Sequence, residues 1–393
     1  MTANLDILFT GYAPVHFLCF KPLYERLRNM EGISITLSGG TRTRAESGGF
    51  NGWNFDHNAL YNRFDCIHDS HVASVEEIKS KHYNLLFAGN TKMITPASVD
   101  EKIQIFHGIS FRNKAVRSEN LGANRYFMVG PYMRRRFAEN RLIDLDDPRG
   151  LNIGFMKTDR LVNGSFDRQT LLRKYGLDGS RPVILYAPTG QRYNSLETMG
   201  IEVIKRIVES NQYDLIIKLH DHPKRPDSDC FKQLPELVEE HVILSNEQDV
   251  IPLLFVADLL ITDASSVSNE YALLDRPILF LDVPKLIKRA SNATESKVDL
   301  QTWGRKIGAV VETPEKIIPA LQLAFEHTEY GSRVRKELVT DLFFNPGHAT
   351  DAAVQWLQNT LALSHGVRPE QQEKNKTEKS DTTEKQTILR TGS

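Results

Sequence analysis

The amino-acid sequence predicts an α/β protein built from two doubly wound domains. Short apolar runs typical of strands alternate with longer amphipathic runs along most of the chain, which indicates parallel sheets covered by helices. The chain has 393 residues, more than the roughly 250–300 that one hydrophobic core usually serves. We therefore expect two successive domains that face one another, with ligands bound in the cleft at the carboxyl ends of both sets of strands.

The predicted strands form two sets, and the chain divides accordingly. The first set comprises residues 5–10, 33–37, 83–88, 102–106 and 126–129, and the second comprises residues 182–186, 213–218, 241–244, 257–262 and 277–281. We assign residues 1–165 to the first domain, 166–345 to the second, and 346–365 to a helix that packs back on the first domain. Residues 366–393 are polar and nearly devoid of aliphatic side chains, so we expect a disordered tail.

The charge and cysteine content exclude several classes of protein. A formal net charge of −1 leaves no global basic field, so we expect no nucleic-acid partner. Three widely spaced cysteines predict neither a disulfide framework nor a zinc cluster, and they favour a reducing cytosol. The first residues lack the pattern of a signal peptide. The densest apolar run, residues 250–261, falls short of the roughly 20 residues that a membrane span needs.

A tight turn in the second domain offers a site for an anion. Asp263, Ala264, Ser265 and Ser266 separate an apolar strand from a helical stretch. Backbone N–H groups and two small hydroxyls at the start of a helix favour phosphate. The alternative interpretation is a plain N-cap, because Ser and Asp are common capping residues whether or not a ligand binds.

The first domain offers a candidate general base. His107 and Gly108 follow a predicted strand, and Gly108 permits a turn that lets a substrate approach the backbone. An imidazole with an ordinary pKa of about 6.5 keeps a neutral fraction at physiological pH, so His107 can accept a proton from a hydroxyl nucleophile. The alternative is a histidine that is only hydrogen-bonded at the end of a strand.

Ionisable side chains are also concentrated in residues 218–225, after a strand of the second domain. Lys218, His220 and His222 suit the stabilisation of a phosphate leaving group. The spacing of the two histidines resembles neither a structural zinc site nor an i, i+4 pair, so we expect no metal. A second basic run, residues 134–136, is typical of a solvated face, with contact to anionic lipid as the alternative.

The order of these motifs resembles the CDP-glycerol glycerophosphotransferase family, which includes the teichoic acid polymerases. The resemblance spans residues 106–284 and continues loosely through residues 345–349, whereas residues 1 to about 100 share only the general layout. The matching segments, in chain order, are residues 107–108, 154–159, 184–189, 218–220 with 222–223, and 260–266. Two departures stand out, since Met156-Lys157-Thr158 replaces the usual Pro-Arg-Asn and Ala264 stands where an aromatic residue is common.

The resemblance implies a GT-B architecture, in which two Rossmann-like domains face across a cleft and the second holds most of the donor nucleotide. It implies that His107 deprotonates the acceptor, and that His220 or His222 assists at the donor phosphates. Ser265 and Ser266 are the implied ligands of phosphate oxygens. The other implied donor-binding residues are Gly108, Thr189, Arg192, Lys218, Asp263 and Glu270, the last as a ligand of ribose hydroxyls. We expect no cofactor.

We therefore predict a cytoplasmic transferase that moves glycerol phosphate, or a related polyol phosphate, from a CDP-linked donor to a hydroxyl of a cell-surface polymer or glycan precursor, releasing CMP. Lipid-linked acceptors at the inner face of the cell membrane are included. The alternatives are a nucleotide-sugar glycosyltransferase with the same architecture, a UDP-sugar 2-epimerase, and a non-catalytic nucleotide-binding protein. Simple binding would not require His107.

Overall fold

The computed structural model describes residues 5–47, 52–67, 70–89, 94–108, 110–220, 228–293 and 297–361. The strands in these ranges are β1 (Leu5–Gly11), β2 (Ile33–Gly39), β3 (Thr41–Arg44), β4 (Trp53–Asp56), β5 (His71–Val72), β6 (His82–Ala88), β7 (Ser98–Ile105), β8 (Arg125–Met128), β9 (Gly150–Asn152), β10 (Val183–Tyr186), β11 (Asp214–Ile217), β12 (Val242–Leu244), β13 (Leu259–Thr262), β14 (Ile278–Leu281) and β15 (Ala309–Val311). The α-helices are α1 (Pro14–Leu27), α2 (His57–Tyr61), α3 (Val75–Ser80), α4 (Pro131–Glu139), α5 (Asp159–Val162), α6 (Arg168–Lys174), α7 (Ile201–Ser210), α8 (Asp229–Gln233), α9 (Ile251–Val256), α10 (Val267–Tyr271), α11 (Pro284–Ser291), α12 (Ile317–Glu326), α13 (Ser332–Leu342) and α14 (Ala349–Leu361).

Two parallel sheets organise these elements. The N-terminal sheet has the order β5-β2-β1-β6-β7-β8-β9, and the C-terminal sheet has the order β12-β11-β10-β13-β14-β15. In both sheets the first strand in the chain lies inside the sheet and later strands are added on either side, which is the doubly wound pattern. The predicted α/β fold with two Rossmann-like sheets is therefore confirmed.

The predicted strands were found because they are buried on both faces. All residues of β10, β11, β13 and β14 are buried, as is usual for inner strands of a parallel sheet covered by helices. In the N-terminal sheet, Phe9 of β1 stacks on Phe87 of β6 with ring centroids 4.8 Å apart. The strands that the sequence analysis missed, β3, β4, β5, β9 and β15, have only two to four residues each.

The chain passes between the two sheets twice, after β9 and after α13, and the two crossings lie side by side. Asn345 donates from Nδ2 to the backbone oxygens of Asn152 and Ile153, at 2.9 and 3.0 Å. Gly154 has a φ of +107°, and a Cβ placed there would lie 2.1 Å from the carbonyl oxygen of Phe344. Only glycine fits this contact, so the crossings are held together closely.

After the second crossing, α14 lies beside the N-terminal sheet. The carboxylate of Asp159 accepts hydrogen bonds from the N–H groups of Ala349 and Thr350, at 3.0 and 2.7 Å, and thereby caps the helix. Arg26 of α1 pairs with Asp351 at 2.9 Å. The domain boundaries at residues 165 and 345 stay predictions, and the tail at 366–393 lies outside the described residues.

Candidate active site between the two sheets

A cavity of about 410 Å³ lies between the carboxyl ends of the two sheets. The loops that follow β1 and β7 form one side, and the loops that follow β10, β11 and β13 form the other. This volume is within the roughly 300–1,000 Å³ usual for small-molecule sites, and the position is the one where doubly wound sheets bind ligands.

His107 lies in the cavity on the N-terminal side. Its Nδ1 is 3.3 Å from the backbone oxygen of Gly89. Because a carbonyl oxygen only accepts, Nδ1 carries the hydrogen and Nε2 is the proton acceptor of the neutral ring. Desolvation by the surrounding protein lowers the pKa of His107 below its ordinary value; the bond to Gly89 opposes this shift and the charge of Lys157 adds to it. A lowered pKa favours the neutral ring that a general base requires.

His16 is a cavity residue that the sequence analysis missed. Its ring meets that of His107 edge to face, with centroids 4.9 Å apart, and it is only 3% exposed. The N–H of Tyr12 donates to His16 Nδ1 at 3.1 Å. A Cβ at Gly11 or Gly89 would lie 2.6 or 2.8 Å from the Cβ of His16, so both glycines make room for it. A lone histidine early in an apolar helix gave no signal of this arrangement. We call His16, His107 and Gly108 the imidazole wall.

Ser265 and Ser266 lie on the opposite side of the cavity, and we call them the hydroxyl wall. The two walls meet, because a Cβ built on Gly108 would lie 3.3 Å from Ser266 Oγ. The N–H of Val267 donates to Ser265 Oγ at 3.4 Å, whereas Ser266 makes no capping hydrogen bond to α10. The interpretation of the turn as a plain N-cap therefore holds in part for Ser265 and does not hold for Ser266.

Asp263 and Thr189 lie behind the hydroxyl wall. The side chain of Asp263 is completely buried and accepts from the N–H groups of Thr189 and Ser195, each at 2.9 Å. The hydroxyl of Ser195 donates to the same carboxylate at 3.0 Å. These hydrogen bonds join the loops after β10 and β13, so the Asp263 carboxylate fixes the shape of the wall and does not line the cavity.

A buried ion pair links the first crossing to α10. Lys157 Nζ lies 2.8 Å from Glu270 Oε2, and both side chains line the cavity while being about 95% buried (6% and 5% exposed). Burial alone would lower the pKa of Lys157, but the Glu270 carboxylate, together with Cys19 and Asp249, outweighs burial and raises that pKa above its ordinary value. Lys157 stands where the family usually has arginine, so this departure keeps the positive charge. The implied contact of Glu270 with ribose stays a prediction.

The other predicted donor-side residues are divided between two places. Lys218 and His220 line the cavity, and Lys218 Nζ donates to the backbone oxygen of Leu219 at 2.7 Å. His222 lies outside the described residues. Arg192 lines a neighbouring groove and not the cavity. In the part of the chain that the structure describes, no group of three or more His, Cys, Asp or Glu side chains could hold a metal ion.

The second departure from the family pattern has a packing reason. Ala264 is 1% exposed and belongs to a small apolar cluster with Phe111, Val283 and Leu286. Phe111 comes from the N-terminal side, and its ring packs in this cluster beside the turn. A large side chain at position 264 would compete with Phe111 for this space.

The basic run at residues 134–136 is committed to internal contacts. Arg134 donates to the backbone oxygen of Gly150 at 2.6 Å. Arg135 forms a bidentate pair with Asp341 of α13, at 2.6 and 2.7 Å. Arg136 pairs with Glu139 at 2.6 Å. The bonds of Arg134 and Arg135 tie α4 to other elements, whereas Arg136 pairs within the helix, so the solvated-face interpretation holds for only part of the run.

Two Rossmann-like sheets that enclose a cavity at their carboxyl ends define the GT-B class of proteins. The sequence pattern of the family described as CDP-Glycerol:Poly(glycerophosphate) glycerophosphotransferase matches residues 78–352, so the chain belongs to this family. The match begins earlier in the chain than the motifs alone indicate. It includes both crossings between the sheets.

Individual relatives are more distant. The teichoic acid glycerol-phosphate primase of Bacillus spizizenii is 32% identical over 142 residues, which cover 35% of this chain and 35% of the primase. The matched stretch thus spans about a third of that relative's length. The solved structure of the wall teichoic acid polymerase TagF is similar over 91% of this chain and 88% of that chain, with a TM-score of 0.59 and 15% identity.

A UDP-GlcNAc 2-epimerase from Neisseria meningitidis is also similar in structure. It has a TM-score of 0.57 and 13% identity, and the similarity covers 91% of this chain and 100% of the epimerase. At such low identity both structural similarities show the fold alone. The family match therefore separates this chain from the epimerases, which share its architecture.

Proposed function

We propose that this protein transfers glycerol phosphate, or a related polyol phosphate, from a CDP-linked donor to a hydroxyl of a cell-surface polymer or glycan precursor. The observation that carries the proposal is the meeting of the two walls. His107 and Gly108 come from the N-terminal side, and Ser266 comes from the C-terminal side, with 3.3 Å between a Cβ at Gly108 and Ser266 Oγ. The proposed base and the proposed phosphate ligands therefore border one cavity.

The proposed reaction needs a proton acceptor and groups that stabilise phosphate charge. His107 Nε2 takes the proton of the acceptor hydroxyl, and the resulting oxygen forms a bond to the phosphorus next to the polyol. The bond between that phosphorus and the bridging anhydride oxygen breaks, and CMP leaves with the bridging oxygen. Transfer of this kind depends mainly on positioning and on electrostatic stabilisation of the phosphate oxygens.

The residues of the hydroxyl wall and the basic side chains stabilise the phosphate charge. Ser265 and Ser266 donate hydrogen bonds to phosphate oxygens, while Lys218 and His220 offset the charge that develops on the departing CMP. Asp263 acts indirectly, by holding the wall in shape. The Lys157–Glu270 pair keeps α10 at a fixed distance from the first crossing.

The test is nucleotide release from a panel of donors, measured for wild type, His107→Ala and Ser266→Ala. We expect acceptor-dependent CMP release from CDP-glycerol by wild type. His107→Ala should lose about 10²–10⁴ in turnover while keeping donor affinity, because it removes only the base. Ser266→Ala should mainly weaken donor binding.

His82→Ala is the matched control, because His82 is exposed on β6 and distant from the cavity. Unchanged turnover in His107→Ala would remove the assigned base. Release of UDP from a UDP-sugar would instead support the glycosyltransferase. A new sugar epimer formed without an acceptor would support the epimerase, and donor binding without any turnover would support a binding protein.

The proposed acceptors include lipid-linked ones, which would bring the protein to a membrane surface. None of the described helices has the length and apolar character needed to cross a bilayer. We propose peripheral contact with the membrane, driven by the lipid-linked acceptor. Flotation with anionic liposomes measures it, and a protein that stays entirely in the bottom fraction would contradict it.

A further inference from the structure

A groove of about 200 Å³ opens beside the cavity, and its charged lining is entirely basic among the described residues. No Asp or Glu of the described ranges lines it. The whole chain has a net charge of −1, so this is a local concentration of positive charge. The basic lining residues are Arg112, Lys114, Arg117, Arg192, Arg289 and Lys297.

The groove is built from both domains and held in a defined shape. Asn113 donates from Nδ2 to the backbone oxygen of Lys297 at 3.0 Å, and the N–H of Asp299 donates to the oxygen of Phe111 at 2.7 Å. Phe111 also packs in the apolar cluster with Leu286, which lines the groove. Basic side chains of the two domains are thereby kept close together although they repel one another.

Arg112 connects the groove with the cavity, because it lines both. Its Nε is buried and has no hydrogen-bond partner among the described residues. Burial lowers the pKa of Arg112, with Asp263 opposing the shift. A buried donor without an acceptor costs free energy unless a ligand satisfies it, and a phosphate oxygen is the natural partner of a guanidinium group.

Four of the other basic side chains have no ion-pair partner among the described residues. In the ranges that the structure describes, no ion pair involves Arg117, Arg192, Arg289 or Lys297. Natural proteins keep such unfavourable arrangements mainly where a ligand offsets them. A diphosphate donor has one negative charge per phosphorus and therefore two in total, which is too few to offset six basic side chains. A chain of phosphodiesters supplies one charge with every repeat.

We propose that the groove binds the phosphodiester groups of the acceptor polymer that precede its reactive hydroxyl. This inference rests on the proposed function, since the hydroxyl must reach His107, five residues before Arg112 in the chain. The polymer end lies in the cavity and earlier repeats lie along the groove. Arg192, which the family resemblance assigned to the donor, belongs to the acceptor site in this arrangement.

The test compares wild type with the double variant Arg117→Gln/Arg289→Gln, which leaves every cavity residue intact. One readout is CMP release from CDP-glycerol with acceptors that have one phosphate or several. The other is direct binding of oligo(glycerol phosphate) without donor, at several salt concentrations. Lys205→Gln/Lys316→Gln is the control, because it removes two positive charges from exposed sites away from the groove.

We expect the double variant to keep wild-type turnover with the one-phosphate acceptor, which also shows that it is folded. Its KM for the longer acceptor should rise at least tenfold. The slope of log affinity against log salt should become shallower by about 1.4, at about 0.7 per cation removed from a single-stranded polyanion contact. The control should match wild type in each respect.

Three outcomes would overturn the groove assignment. They are equal losses with short and long acceptors, a raised KM for CDP-glycerol with an unchanged acceptor KM, and a loss confined to binding of phosphatidylglycerol vesicles. The proposed function is judged separately, by CMP release from wild type. If wild type bound the oligomer but released no CMP, the proposed transferase function would be wrong, whereas the assignment of the groove as a polyanion site would stand.

Discussion

The two walls of the cavity are held in different ways. His107 and His16 of the imidazole wall are positioned by backbone groups and by glycines that leave space for the rings. The hydroxyl wall is positioned by one buried carboxylate, Asp263, which gathers hydrogen bonds from two neighbouring loops. A wall that binds phosphate needs fixed donors, whereas a base needs a defined tautomer and a neutral ring. Each wall therefore fixes what its task requires: the hydroxyl wall fixes the positions of its donors, and the imidazole wall fixes the tautomer of its base.

The largest effect on stability is expected from Asp263→Asn, which removes the carboxylate that supports the hydroxyl wall. The amide keeps one acceptor oxygen, but its NH₂ group must face a donor, either the Thr189 N–H or the Ser195 groups. A buried donor left unpaired costs about 1–3 kcal/mol, more where a charge was removed. Chemical unfolding should show this loss, and donor affinity should fall with it.

Asp229→Asn is the matched control, because Asp229 lies on α8 with its side chain 91% exposed. It should leave the free energy of unfolding within about 0.5 kcal/mol of wild type. If Asp263→Asn were as stable as this control and bound donor normally, the wall would not depend on its carboxylate.

A smaller effect is expected from Gly108→Ala, which tests whether the walls touch in solution. The added methyl group would lie 3.3 Å from Ser266 Oγ, on a residue with a φ of +141°. We expect turnover to fall roughly tenfold, equivalent to about 1.4 kcal/mol. Combining it with Ser266→Gly should recover part of the loss, because the contact partner is gone, with a coupling energy of at least about 0.5 kcal/mol in a double-mutant cycle.

Gly164→Ala is the control for backbone strain, because Gly164 also has a positive φ, +80°, but no atom lies within 4 Å of its added Cβ. It should not respond to Ser266→Gly. Strictly additive effects of Gly108→Ala and Ser266→Gly would mean that the two walls do not meet.

The smallest effect is expected in the pH dependence of kcat/KM, which tests the imidazole wall separately from the hydroxyl wall. Because the pKa of His107 is lowered, its neutral form persists at pH values below the ordinary 6.5 of histidine. The acid limb of kcat/KM should therefore have its midpoint below 6.5, with activity lost as the pH falls through the lowered pKa. A pH profile of kcat/KM measures this. A midpoint above 6.5 would mean that a different group, or a different environment, controls the proton.

Much of the fold followed from the sequence because the central strands are buried on both faces and read as continuous apolar runs. The hairpin of β3 and β4 was missed, since its sequence is polar and its contacts are tertiary. Arg42 there lies over the rings of Tyr12 and Trp53, with distances of 3.9 and 4.4 Å to the ring centroids. No local pattern encodes such a contact.

The same distinction applies to the site. His107, Ser266 and Lys218 were found because each follows a strand, and the carboxyl ends of parallel strands meet at one edge. His16 and Arg112 were not predicted as site residues, because the surroundings of each are formed by residues far away in the chain. His16 requires the space left by Gly89, and Arg112 acquires its role only beside the basic residues of the other domain.

The two paired crossings constrain the number of residues in each connection between the sheets. Gly154 and Phe344 are in such close contact that the two connections are held together at one point. Sliding of one domain past the other would require the hydrogen bonds of Asn345 and Asp159 to break. Insertion of a single residue into either connection would therefore displace the base from the phosphate ligands, although no residue of the cavity itself had changed.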